Sequence, residues 1–228
     1  MDEFLYVVSH DLQEPLRTLV SFSDFLLADY GDRLDDQGRE FVRYLVDASR
    51  RMRSLIQDLT TLSRAGKVTR EFDRVNLSEV LKVVRADLSD RIRSRGGQVD
   101  FEASLPEVWG DRDRIGQLFT NLITNGLKYN QEAVPRVTVT VDRSVPEETG
   151  WVTIQVSDNG IGIDSRYHQK IFQLFRRLHT QEEYEGTGAG LAICQKIVQA
   201  HGGTIRVMSE SNHGSTFLVS LPRPPESP

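Results

Sequence analysis

Leu5, Leu12, Leu19 and Leu26 recur every seven residues, and Phe41, Leu45, Ala48, Met52, Leu55, Leu59 and Leu62 follow at alternating spacings of four and three. That is the periodicity of helices with a narrow apolar seam, and no strand-like alternation interrupts it between about Asp2 and Arg64. The stretch from Tyr30 to Gly38 holds two glycines and three aspartates and reads as a helix–helix connection, so an antiparallel helical hairpin is expected here. Two helices cannot hide two apolar seams from water. A homodimer closing a four-helix bundle is the simple remedy, and docking of the hairpin on the rest of the chain is its rival.

Beyond a mixed, charged, glycine-containing stretch the pattern changes. Helices are expected over Leu77 to Arg95, Asp113 to Tyr129 and Leu191 to His201; strands over Val137 to Val141, Trp151 to Ser157, Thr204 to Glu210 and Thr216 to Leu221. This gives an α + α/β chain: a helical hairpin at 1–64, a hinge at 65–75, an α/β sandwich at 76–222 with one sheet covered by helices, and a proline-rich tail at 223–228.

Composition narrows the function classes. A hydrophobic share of 38% with 27% charged residues fits a soluble globular protein. The single Cys194 excludes an internal disulfide and a thiolate metal site, which suits the reducing cytoplasm. No apolar stretch is long enough to span a bilayer and no secretory leader is evident, so membrane insertion is not expected. A net charge of −5 argues against nucleic acid as the main partner, and Arg50, Arg51 and Arg53 read as a solvated helix face.

Two glycine-rich turns carry the chemistry. Asp158-Asn159-Gly160-Ile161-Gly162 ends the apolar run from Trp151 to Val156, and Gly186-Thr187-Gly188-Ala189-Gly190 opens a helix. A carboxylate there can accept a hydrogen bond from an adenine amine, while glycines let backbone N–H groups approach phosphates. The second turn would also present free N–H groups and a positive dipole end to them. On the helix before the first turn, Asn121, Asn125 and Lys128 share one stripe at about 100° per residue, opposite Ile115, Phe119, Leu122 and Ile123. An amide oxygen suits Mg²⁺, which keeps phosphate and water oxygens as its other ligands, and Lys128 can neutralise phosphate. An ordinary polar helix face is the plain alternative, and the two turns weigh against it. The P-loop, the protein-kinase His-Arg-Asp signature and the dinucleotide-binding fingerprint are all absent.

With these residues in view, the chain resembles the transmitter module of sensor histidine kinases over nearly its whole length. The resemblance rests on the histidine box Ser9-His10-Asp11-Leu12-Gln13-Glu14-Pro15-Leu16-Arg17, the asparagine box at 121–129, both glycine turns, the aromatic segment Ile171 to Leu178, and Gly214-Ser215-Thr216-Phe217. Arg177-Leu178-His179 and Glu183 to Gly188 look most like bacterial phytochromes. The resemblance implies a dimerisation and histidine-phosphotransfer hairpin followed by a Bergerat-type ATP-binding domain. It also implies ATP and Mg²⁺ as cofactors, Asp158 on the adenine, Asn125 on the metal, and a lid over 176–189. Asn121, Lys128, Tyr129, Gly160, Gly162, Arg177, Thr187, Gly188, Gly190, Leu191 and Thr216 complete the implied nucleotide site. A homodimer, a response-regulator receiver as phosphoryl acceptor, and a sensory region outside this chain are the implied partners.

His10 is the implied phosphoacceptor. It lies about 200° around the helix from Leu12, so it should face solvent, where a γ-phosphate can reach it. Asp11 could accept the Nδ1 proton and leave Nε2 free as nucleophile, and Pro15 should kink or loosen the helix. The histidines at 168, 179, 201 and 213 show no ligand spacing and read as non-catalytic. Many kinases of this family carry Thr or Asn one turn after the phosphohistidine, where it positions water against a phospho-aspartate, and Glu14 departs from that pattern. A carboxylate there would repel an incoming phosphate, so kinase chemistry is expected to be intact and phosphatase activity is left open, with a phosphatase-dominant module as one alternative. A Bergerat-fold ATPase, as in type II topoisomerases and Hsp90-like chaperones, would need a glutamate at Asn121, and an amide is a poor general base. A non-catalytic dimerisation module is the third alternative.

Overall fold

The computed structural model describes residues 2–65, 71–144, 146, 149–178, 184 and 186–225, with side chains from Leu12 onward. It divides into two compact units, Met1–Arg64 and Ala65–Pro228.

The first unit is a helical hairpin. Helix α1 (Asp2–Tyr30) leads through a 3-10 turn, Gly31–Arg33, into α2 (Asp36–Ala65). Gln13 donates to Thr60 Oγ1 at 3.4 Å and Arg50 to Asp24 at 2.7 Å, which fixes the two helices as antiparallel. Asp35 Oδ1 accepts the Gly38 N–H at 2.7 Å, and Arg39 Nε reaches the Gly31 carbonyl at 3.0 Å, so side chains satisfy the turn. Pro15 lies inside α1, which continues to Tyr30. A missing N–H removes one bond of the ladder and leaves the neighbouring turns intact.

The seam inside the hairpin is not the stripe that the heptad leucines mark. Leu16, Val20 and Ser23 of α1 and Val42, Val46 and Ser49 of α2 are buried. Leu12, Leu19, Phe22, Phe25 and Leu26, with Phe41, Tyr44, Leu45 and Met52 of α2, are between 44% and 63% exposed. Each helix thus carries two apolar stripes, and only one is covered within the chain.

The first strand of the second unit, β1 (Asp73–Asn76), starts inside the stretch read as a hinge. Then follow α3 (Leu77–Asp87), α4 (Ser89–Ser94), β2 (Gln98–Phe101), β3 (Glu107–Gly110), α5 (Arg112–Lys128), β4 (Arg136–Val141), β5 (Trp151–Asp158), α6 (Gly190–Ala200), β6 (Thr204–Ser209) and β7 (Ser215–Pro222). The helix expected over Leu77 to Arg95 is two helices, because Leu88 turns out of helical geometry while burying its side chain. Strands β1 and β3 form an antiparallel pair, and the main sheet has the order β2-β4-β5-β7-β6 with only β2 and β4 parallel.

Alternation along β5 and β7 decides which side is the core. Val152, Ile154 and Val156 oppose Leu221, Val219 and Phe217, and all six are buried. The other face pairs hydroxyls, Thr153 with Ser220 and Ser157 with Thr216, each at 2.9 Å. Ile115, Leu118, Phe119, Leu122 and Ile123 of α5 and Ile193, Ile197 and Val198 of α6 close the apolar side, each 3% exposed or less. Burying such side chains contributes about 1.5–3 kcal/mol apiece, which is why this unit needs no partner to complete its core.

Candidate nucleotide site

Period-two alternation puts Asp158 on the same face as Val156 and Ile154, so its carboxylate points to the helix side at the end of β5. There Oδ1 accepts the Gly160 N–H at 2.8 Å and the Ser215 N–H at 3.3 Å. Burial pushes this carboxyl up to about 6, and the two N–H donors only partly offset it. A carboxylate held at such a cost, with acceptor capacity left over, is suited to an amine donor such as that of adenine.

Gly126 on α5 is what lets the helix come this close. A Cβ on it would lie 2.8 Å from Val137 Cγ2 and 3.0 Å from Asp158 Cβ. The first glycine turn then wraps the helix end: Ile161 N–H donates to the Tyr129 carbonyl at 3.0 Å, and Gly160 packs against that same carbonyl, where no side chain fits. Gly162 has φ 68° and faces the Glu210 carbonyl, so both its conformation and its space demand glycine. Asn130 and Asn159 complete the corner, joined at 2.8 Å, with Asn159 Oδ1 also accepting the Arg136 N–H at 2.7 Å.

The second glycine turn meets the polar stripe of α5. Asn121 Nδ2 donates to the Gly190 carbonyl at 3.3 Å, and Asn125 Nδ2 lies 3.9 Å from where a Cβ on Gly190 would sit. Lys128 Nζ is closer still to Gly186, at 2.8 Å from its notional Cβ, and bonds Tyr129 Oη at 2.8 Å. Tyr129 lies against Tyr184 with ring centroids 5.0 Å apart, and Arg177 donates to the Tyr184 carbonyl at 2.8 Å. Burial raises the Tyr129 phenol, with Arg177 opposing it. Thr187 Oγ1 accepts the Ala189 N–H at 3.3 Å, while no side chain caps the start of α6, where Gly190 and Leu191 stand. Its first N–H groups therefore remain able to bind an anion.

So α5, both glycine turns and the end of β5 bring Asn121, Asn125, Lys128, Tyr129, Asp158, Gly160, Gly162, Arg177, Thr187, Gly188, Gly190 and Leu191 to one end of the sheet. Thr216 is the correction: it pairs with Ser157 on the opposite face, at 2.9 Å. Ser215 stands on the Asp158 side instead, its hydroxyl 3.0 Å from Ser209 Oγ. Residues 179–183 and 185 of the expected lid lie outside the described residues, as do the side chains of His10 and Asp11, although both of these belong to α1. Glu14 is exposed on the same helix.

The donor set fits magnesium better than a tightly caged metal. Among the described residues no three His, Cys, Asp or Glu side chains cluster as ligands, and the Asn125 amide is the neutral oxygen donor that an ion sharing phosphate and water ligands accepts.

Comparison with known proteins accords with this geometry. Residues 110–225 match the histidine kinase-, DNA gyrase B- and HSP90-like ATPase family, and residues 1–67 match the His kinase A phospho-acceptor domain. The phytochrome-like protein Cph1 of a Synechocystis species is 37% identical over 222 residues, and cyanobacterial phytochrome B of a Nostoc species is 40% identical over 222. Both comparisons cover 97% of this chain and 29% of the relative, so the chain spans under a third of either protein. Among solved structures, full-length ShkA in complex with AMPPNP superposes with a TM-score of 0.72 at 25% identity, over 97% of this chain and 46% of that one. No described helix is long and apolar enough to cross a membrane. With a phospho-acceptor hairpin followed by this ATPase fold, the chain belongs to the histidine kinases, with phytochrome-like proteins among its relatives.

Proposed function

We propose that the chain is the cytoplasmic, homodimeric transmitter of a two-component system, which phosphorylates its own His10 from ATP and passes the phosphoryl group to an aspartate of a separate receiver protein. The observation that carries this over an ATP hydrolase is Asn121. It occupies the place from which a glutamate would activate water, and its amide is engaged in donating to the Gly190 carbonyl. With no general base there, the bound nucleotide waits for another nucleophile.

Asp158 would take the adenine amine, and the start of α6 with Lys128 and Arg177 would take the phosphates. Asn125 Oδ1 would hold Mg²⁺, which supplies neutralisation of the triphosphate. His10 Nε2 then forms its bond to the γ-phosphorus as the bond to the β,γ-bridging oxygen breaks. ADP leaves with that electron pair, and Asp11 takes the Nδ1 proton. The exposed stripe of Leu12, Leu19, Phe22, Phe25 and Leu26 supports the dimer reading, since a second copy would cover it symmetrically.

Incubation with γ-labelled ATP and Mg²⁺ should yield labelled protein that is acid-labile and base-stable, and His10→Ala should abolish the label. Release of free phosphate in place of labelled protein would instead assign the module to the hydrolases.

A further inference from the structure

Helices α5 and α6 lie side by side and antiparallel, and hydrogen bonds mark their register. Asn121 Nδ2 meets the Gly190 carbonyl at 3.3 Å, Cys194 Sγ meets the Leu118 carbonyl at 3.8 Å, and the Asp111 N–H meets His201 Nε2 at 3.0 Å. The first of these lies at the glycine turn. The last lies at the far end, where α6 stops at His201 and Asp111 caps α5 by accepting the Asp113 and Arg114 N–H groups at 2.9 and 3.2 Å.

His201 is built into this corner from every side. Its ring is buried, 5% exposed, and stacks on Phe72 at 4.7 Å with the planes 4° apart. Gly110 backs it so closely that a Cβ there would come within 2.6 Å of Nε2. Because a backbone N–H can only donate, Nε2 must be the bare nitrogen. Nδ1 therefore carries the proton and donates to the Ile197 carbonyl at 2.8 Å. Burial also lowers this imidazole's basicity, in keeping with a neutral ring.

We infer, resting on the nucleotide site proposed above, that His201 is a positioning residue: as a neutral Nδ1–H imidazole it holds the Asp111 amide and so sets where α5 stands along α6. A helix is stiff along its axis, and Asn125 lies roughly 21 Å along α5 from Asp111 at 1.5 Å per residue. Sliding at the His201 end thus reappears at the other end, as a change in the gap between the Asn121–Asn125 stripe and Gly190. Loss of the bond leaves the Asp111 N–H buried and unsatisfied, which α5 relieves by shifting.

Three substitutions in the full chain separate this role from packing. Glutamine can place Oε1 where Nε2 was, asparagine can replace only Nδ1, and phenylalanine keeps the stack on Phe72 but neither hydrogen bond. Autophosphorylation should show an apparent KM for ATP about tenfold higher in His201→Asn and His201→Phe, and within about threefold of the parent in His201→Gln, as expected for one buried donor left unpaired. The maximal rate at saturating ATP should change less than KM in all three, and the Asp111 amide should exchange with solvent faster in the Asn and Phe variants only. His201→Phe behaving like the parent, or His201→Gln as impaired as His201→Asn, would overturn the assignment. If His201→Phe does not fold, the Gln and Asn pair decides alone. Asp158→Ala is the control: if it binds ATP as the parent does, the nucleotide reading fails, whereas if it loses ATP while the His201 series leaves KM unmoved, only the positioning role fails.

Discussion

The hairpin and the α/β unit solve the burial problem in opposite ways. Phe119, Leu122, Ile154 and Val219 of the second unit are 1% exposed or less, yet Phe22, Phe25 and Tyr44 of the hairpin are 63%, 59% and 63% exposed. The α/β unit packs these side chains into its own core, and burial beside them raises the carboxyl of Asp158. The hairpin leaves one of the two apolar stripes on each helix exposed. Stability of the first unit should therefore depend on protein concentration, and that of the second should not.

The largest effect expected from this contrast falls on the α/β unit alone. If the proposed roles hold, Asp158→Ala removes the adenine acceptor and Asn125→Leu the metal donor, so each should lower ATP affinity at least tenfold, the scale of a lost charge-assisted contact, and abolish labelling. Dimer formation should be unchanged, and monomerisation of either variant in sedimentation would show that these residues hold the fold together. Acidity gives a second reading of Asp158. Its folded pKa, about 6, lies above the unfolded value of 3.8, so the charged form is disfavoured by folding. Stability linked to this group is full below the unfolded value and is lost as pH rises through about 6. Asp158→Asn should thus stabilise the unit at pH 7.5, by about 2 kcal/mol after discounting for partial exposure, and should do nothing at pH 3.5. ATP affinity of the parent should fall as pH drops through 6, since protonation removes the charged acceptor. Flat profiles in both measurements would remove the strained carboxylate from the account.

A smaller effect tests the other half of the comparison. Phe22→Glu puts a charge on the uncovered stripe without touching Leu16, Val20 or Val46. It should weaken the dimer and the melting temperature of the hairpin while leaving ATP affinity within about twofold, because sites this independent behave additively. An unchanged dimer would mean that the stripe is covered by something other than a second copy.

Legibility followed the same division. Elements with a long, regular period were readable: α5, α6 and strands β4 to β7 fall within a residue or two of where alternation put them, and both hairpin helices were legible, with α2 starting at Asp36 inside the stretch read as their connection. Strands β1, β2 and β3 were not, because four residues such as Asp73-Arg74-Val75-Asn76 show too little of any period and acquire strand geometry only from their neighbours. The heptad leucines signalled a seam but not which seam. Leu16, Val20 and Ser23 interleave with them, and only packing chooses between the two. In the nucleotide site, residue types chosen for chemistry met at one place, while Thr216 failed on parity. Counting from the buried Phe217, Val219 and Leu221 would have put Ser215, and not Thr216, beside Asp158. His201 was passed over for want of ligand spacing, and its role depends on contacts with Phe72, Gly110 and Asp111 that lie far from it in sequence.

The smallest expected effect concerns Glu14, where the family resemblance leads one to expect threonine or asparagine. A side chain one turn beyond His10 can orient water against a receiver's phospho-aspartate, and a hydroxyl or amide does so without net charge. The Glu14 carboxylate is exposed, so it can accept a hydrogen bond from water, but it also repels the dianionic phosphate that it would have to approach. At the surface this repulsion is screened and amounts to about 1 kcal/mol. Phosphatase activity should accordingly be weak, and Glu14→Thr should raise it several-fold while leaving His10 labelling within about twofold of the parent. Mixing each protein with a pre-phosphorylated receiver, in the absence of ATP, measures this directly. Receiver dephosphorylation that is fast in the parent, survives His10→Ala and disappears in Glu14→Ala would make Glu14 the water-orienting group and the module a phosphatase first.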